Sequence, residues 1–69
     1  MVNMKNLLGN KIRNYRLECN LSQDELARKA EVPYTTLTKI ETGVIKSPSV
    51  FTIRKITKAL NITMDKLIE

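Results

Sequence analysis

Apolar positions recur along this chain at intervals of three and four, and the recurrence divides it into helices. Met4, Leu7, Leu8, Ile12 and Tyr15 fall close to one face, with Lys5, Lys11, Arg13 and Glu18 on the others, which predicts a first helix over residues 4–19 after a lead-in of three residues. Gly9 lies inside it and costs up to about 1 kcal/mol relative to alanine, so either the first turns fray or the glycine admits a close neighbour. Leu26, Ala27 and Ala30 share a face of a second helix, residues 23–30, opposite Asp24, Arg28 and Lys29. Leu37 and Ile40 turn a third helix, residues 34–42, toward the core, where Val32 joins them. Val50, Ile53, Ile56, Thr57 and Leu60 form the buried stripe of a fourth, residues 50–60, which Ser49 or Pro48 opens. Ala59 allows it a close neighbour, and Arg54, Lys55 and Lys58 make a basic side that reads as a solubilising face. A short fifth helix, residues 64–68, follows a turn at Asn61, which tolerates a left-handed backbone, and a cap at Thr63. Ile62, Leu67 and Met64 close the core, and Ile68 stays outside.

Residues 22–43 are the most informative stretch. Ser22 followed three residues later by Glu25 is a capping box, in which each side chain bonds the other residue's backbone amide, so a helix starts at Gln23. Pro33 disfavours helical geometry in Val32 and brings no amide proton, which ends one helix, and it is tolerated as the first residue of the next. Gly43 then serves as a left-handed cap. With Leu37 and Ile40 inward, Tyr34, Thr35, Thr38 and Lys39 face out. An exposed helix bearing an aromatic ring, hydroxyls and one cation has the chemistry to hydrogen-bond base edges and to touch thymine methyls.

Composition narrows the field. The 69 residues suit one small domain, residues 1–69, with no repeat, low-complexity tract or linker, and the helices make it an all-α, compact five-helix fold. One cysteine and no histidine exclude an internal disulfide and the usual zinc-ligand sets. Cys19 reads as a small buried or half-buried apolar residue, and a single thiol fits a reducing cytoplasm. A net charge of +5 and a pI near 9.7 point to an anionic partner. Nucleic acid is favoured over membrane, because no apolar run approaches the roughly 20 residues of a spanning helix. No histidine, glycine-rich phosphate loop or nucleophile with its base is present, so an enzyme is the least supported class, and no cofactor or small-molecule ligand is evident.

Leu21-Ser22-Gln23-Asp24-Glu25-Leu26-Ala27, Ile40-Glu41-Thr42-Gly43, Pro48-Ser49-Val50 and the run from Ala59 to Leu67 resemble successive landmarks of the phage-repressor helix-turn-helix family, the XRE or Cro/CI type. The resemblance covers nearly the whole chain, from about Leu8 to Leu67. It implies a lambda-repressor-like DNA-binding domain whose third helix enters the major groove. Two positions depart from the family pattern. Glu31 stands where glycine is usual in the turn, and Pro33 where serine or a similar cap is usual. A left-handed Glu31 costs about 1 kcal/mol.

The resemblance also distributes roles. Tyr34, Thr35, Thr38 and Lys39 are expected to read bases, and Arg16, Gln23, Thr36, Thr42 and Lys46 to meet the phosphate backbone. Arg16 is expected to pair with Glu41 as well, tying the first helix to the end of the third. The function implied is a transcriptional regulator, a repressor by preference, acting as a homodimer on a pseudo-palindromic double-stranded site. The alternative on the same fold is an antitoxin-like or anti-regulator module whose partner is a protein, with Val44, Ile45, Phe51 and Ile68 as its apolar surface. Phe51 is expected in the core beside helix three, with a dimer surface as the alternative, and Val44 and Ile45 either cover the core edge or meet a partner. The chain reads either as a complete small regulator or as the DNA-binding part of a longer repressor.

Overall fold

Three of the turns in this fold are the same device. Asn20, Glu31 and Asn61 each take a left-handed backbone, with φ of 58°, 58° and 59°. Each is followed by an apolar residue whose amide reaches back to a carbonyl five positions earlier: Leu21 to Arg16 at 3.1 Å, Val32 to Ala27 at 2.9 Å and Ile62 to Thr57 at 3.0 Å. This is the helix-ending motif in which a left-handed residue satisfies the last carbonyls and throws the next apolar side chain onto the helix it has just left. Val32 is buried, and Leu21 and Ile62 pack against the core. Glycine is the usual residue for such a position, and here asparagine or glutamate fills all three.

A computed structural model describes residues 7–68, with the side chain of Ile68 excepted. Among these residues the chain is all-α: α1 Leu7–Glu18, α2 Gln23–Ala30, α3 Tyr34–Thr42, α4 Val50–Leu60 and α5 Asp65–Ile68. Helix α1 packs on α3 and α5, and α2 packs on α3 and α4. The centre is Ile12, Leu26, Leu37, Ile40 and Ile56, drawn from α1 to α4 and almost wholly excluded from water, with Leu67 of α5 closing one end. Met64, partly buried, packs against this core from the turn before α5, which starts one residue later than its expected position.

The capping box of α2 is formed in full. The Glu25 amide donates to Ser22 Oγ at 3.1 Å and the Ser22 amide donates to Glu25 Oε1 at 2.8 Å. That backbone bond, helped by the Ser22 hydroxyl and the nearby Arg28 charge, holds the Glu25 carboxyl below its ordinary value. Gly43 ends α3 at φ 88°. The Gly9 position is buried, so close packing accounts for the missing side chain.

Several expectations are corrected. Leu7 is 43% exposed, because it stands five positions before Ile12 and so faces about 140° away from it. Cys19 is exposed rather than buried, just past the end of α1. Val50 has the phase of the α4 stripe but is the helix's first residue and is 66% exposed. Phe51 is 77% exposed and not in the core, since it lies three, four and seven positions before Arg54, Lys55 and Lys58 and shares their face. Pro33 is the residue before α3 rather than its first, with no side-chain cap, and its carbonyl accepts from the Leu37 amide at 3.0 Å. Met4 and the side chain of Ile68 lie outside the described residues.

Candidate nucleic-acid interface

Helix α3 is held at its far end by a polar cluster built into the protein interior. Arg16 donates through Nε to Glu41 Oε2 at 2.8 Å and through Nη2 to Glu41 Oε1 at 3.1 Å, a two-pronged pairing of the guanidinium fork with a carboxylate. Its remaining nitrogen, Nη1, donates to the Leu21 carbonyl at 2.8 Å. Gln23 Nε2 adds a bond to Glu41 Oε1 at 3.1 Å. Arg16 and Glu41 are both buried. The left-handed turn at Asn20 is what brings the Leu21 carbonyl under Arg16, and the capping box starts α2 one residue later, so that Gln23 faces Glu41. One cluster thereby locks α1, the turn after it, α2 and the last turn of α3 into a fixed arrangement.

With Leu37, Ile40 and Glu41 buried, the other side of α3 is free to face outward. Tyr34 is 49% exposed, Thr35, Lys39 and Thr42 are exposed, and Thr36 and Thr38 are half-buried. The only acid on this helix is Glu41, which points inward, so its outer surface carries no carboxylate to repel a phosphate. Two hydroxyls on this surface are already engaged: Thr38 Oγ1 donates to the Thr35 carbonyl at 2.9 Å, and Thr42 Oγ1 donates to the Thr38 carbonyl at 2.9 Å.

These bonds bear on the expected phosphate contacts. Arg16 has its guanidinium turned inward and its side chain only 9% exposed. Gln23 is half-buried with one N–H directed at Glu41, which leaves the second hydrogen of that nitrogen for an outside acceptor. A phosphate contact by the Thr42 hydroxyl requires it to swing off the helix, because its proton is already donated. Lys46 is exposed in the loop after α3 and makes no such bond among the described residues. The Leu21 carbonyl and the Gln23 amide are partners of the Arg16–Glu41 pair that sequence reasoning missed. The spacing of Gln23 from the capping box was the available signal for one of them, and nothing in the residue types signalled the other. Among the described residues no group of acidic, cysteine or histidine side chains is arranged to hold a metal, and no helix is long and apolar enough to cross a membrane.

A family model described as helix-turn-helix matches residues 12–67. The chain belongs to the phage-repressor-like helix-turn-helix family. Within this helix-turn-helix family it is 32% identical over 63 residues to the HTH-type transcriptional regulator SinR of Bacillus subtilis (strain 168), covering 91% of this chain and 57% of that protein. Against SinR of Bacillus licheniformis it is 32% identical over 62 residues, covering 90% of this chain and 56% of that one. The chain therefore spans a little over half the length of these relatives.

Solved structures of the family superpose closely. A crystal structure of SinR, master regulator for biofilm formation, in complex with DNA aligns with a TM-score of 0.88 at 32% identity, over 90% of this chain and 98% of that one. The N-terminal DNA-binding domain of SinR from Bacillus subtilis aligns with a TM-score of 0.89 at 31% identity, over 93% of both chains. The helix pair α2–α3, with its turn at Glu31 to Pro33, is the helix-turn-helix of this chain.

Proposed function

We propose that this chain is a sequence-specific double-stranded DNA-binding transcriptional regulator, a repressor by preference, which lays α3 in the major groove and acts as a homodimer on a pseudo-palindromic operator. The observation that carries the reading is the rigidly anchored α3, whose outward face has Tyr34, Thr35 and Lys39 exposed, Thr38 half-buried and no acidic group. It is supported by the close likeness, at 32% identity, to a SinR structure in complex with DNA. The four outward residues read base edges. Phosphates are met by Lys46, by Thr36 and by the second N–H of Gln23, while Arg16 contributes by fixing the helix and Thr42 by closing its last turn, with its hydroxyl proton on the Thr38 carbonyl. As a DNA-binding regulator it acts in the cytoplasm.

A second reading, the anti-regulator module with a protein partner, is favoured by one observation. Val44, Val50 and Phe51, between the end of α3 and the first turn of α4, are large apolar side chains left 71%, 66% and 77% exposed. A single experiment separates the two. The purified protein is incubated with a randomised duplex library at near-physiological salt, and the retained DNA is sequenced. Two inverted half-sites centred about one helical turn apart, or a multiple of it, support readout by a dimer. Retention of DNA without any motif by a folded protein sinks the base-reading role and favours the protein partner.

A further inference from the structure

We infer that Thr38 meets its base pair as a hydrogen-bond acceptor and a methyl group, never as a donor, and so selects an A·T pair; the inference rests on the base-reading role proposed for α3.

A threonine hydroxyl has one proton and two lone pairs. The proton of Thr38 is committed to the Thr35 carbonyl, 2.9 Å away inside the same helix. What Thr38 offers a groove is therefore the oxygen lone pairs and the methyl. In the major groove adenine presents the N6 amino donor and thymine a methyl, so an A·T pair matches both features of the side chain. A G·C pair offers one donor, cytosine N4, beside two guanine acceptors, O6 and N7, for which Thr38 has no proton.

Thr35, one turn earlier on the same face, differs. It is the second residue of α3, and the carbonyls three and four positions behind it belong to Val32 and Glu31, which precede the helix. No helical carbonyl stands behind its hydroxyl, so it can donate or accept and is tolerant of the base below it. Thr42 repeats the arrangement of Thr38, with its proton on the Thr38 carbonyl. Lys39 is the only cation on the helix and the one long side chain there rich in protons, so guanine preference falls to it and not to the threonines. No side chain of α3 is an arginine, asparagine or glutamine, the residues that make two-pronged contacts with guanine or adenine. The acceptor and methyl pattern of Thr38 thus carries an unusual share of the discrimination.

The test begins from the motif enriched by the wild-type protein, selected in parallel with Thr38→Val and Thr38→Ser. Valine keeps a methyl but has no acceptor, and serine keeps the acceptor but loses the methyl. The wild type is expected to enrich an A·T pair at one position of each half-site that relaxes in Thr38→Val, while Thr38→Ser retains adenine there. Affinity is then measured on a duplex with purine in place of that adenine, which deletes the N6 amino group alone. Wild-type affinity is expected to fall about fivefold, the scale of one neutral hydrogen bond, with no fall for Thr38→Val. Circular dichroism melts confirm that each variant is folded. Guanine at the position that responds to Thr38, or equal wild-type affinity for adenine and purine, overturns the inference while leaving DNA reading by α3 standing. Absence of any motif from the wild-type protein overturns the base-reading role itself.

Discussion

Arg16 and Glu41, 25 positions apart in sequence, meet with Nε and Oε2 2.8 Å apart and their side chains 9% and 2% exposed. Removing one partner strands the other in a site where water does not reach. Arg16→Ala is expected to cost about 3–5 kcal/mol, comparable with the whole stability of so small a domain. Arg16→Met combined with Glu41→Leu, which removes both charges, is expected to recover most of that loss. Urea denaturation of the parent, single and double variants measures both. An unchanged midpoint for Arg16→Ala sinks the structural role of the pair.

The left-handed turns make a prediction of opposite sign at two positions. Glu31→Gly removes a backbone penalty and is expected to stabilise by up to about 1 kcal/mol. Gly43→Ala introduces the same penalty and is expected to destabilise by about as much. In a domain of this size each amounts to a melting shift of about 4–8 °C. Shifts in the same direction for both would show that something other than backbone conformation governs these turns.

The capping box gives a pH dependence whose sign is fixed. The Glu25 carboxyl is held below its ordinary value by the Ser22 backbone N–H first, then by the Ser22 hydroxyl and the Arg28 charge. The unfolded chain therefore takes up a proton there more readily than the folded one, and stability rises with pH across that interval. The contribution is complete above the unfolded glutamate value and fades as pH falls through the lower folded one. Glu25→Gln is expected to flatten this part of the acid limb, seen by comparing denaturation midpoints between neutral pH and about pH 3. Ser22→Ala, which removes the cap itself, is expected to cost about 1 kcal/mol at neutral pH.

Lys39 and Lys46 are both exposed cations, one on α3 and one in the following loop, and their roles separate by salt. Lys39→Ala is expected to cost about 1–3 kcal/mol of binding and to relax preference at particular base pairs. Lys46→Ala is expected to weaken every sequence alike and to lower the slope of log affinity against log salt by about 1. Titrations on the selected duplex and a scrambled one, at three salt concentrations, read both quantities. A base-specific loss from Lys46→Ala contradicts the assignment.

Phe51 offers a check on the fold. At 77% exposure on the face of Arg54, Lys55 and Lys58, its replacement by serine is expected to change stability by no more than about 0.5 kcal/mol. Burial of the same ring in the core would make that change cost several kcal/mol, about 3–5 for phenylalanine to alanine. A thermal melt distinguishes the two at once, and a changed sedimentation rate on or off DNA reports any contact the ring makes with a second molecule.

Much of the candidate site was legible because local chemistry writes it into adjacent residues. The Ser22 and Glu25 spacing, Pro33 and Gly43 set the ends of α2 and α3 through backbone groups a few positions apart. The inward phase of Leu37 and Ile40 followed from helix geometry alone, and with it the outward phase of Tyr34, Thr35 and Lys39. Phe51 is legible too, because its register places it on the face of Arg54, Lys55 and Lys58.

What the sequence by itself determined is where helices begin and end and which side of each is apolar, since both depend on neighbours within about one turn. Only the tertiary structure decided how far each apolar stripe is covered. Val50 keeps the right phase yet stands mostly exposed at the first turn of α4, and Leu7 is left half open to water. It also decided the inward turn of Arg16 onto Glu41 and the Leu21 carbonyl, and the bond from Gln23 that completes their support. Those contacts join groups as many as 25 positions apart. They arise because the packing of α1 and α2 against α3 brings the groups together where water cannot satisfy them, a condition that no single segment of the chain contains.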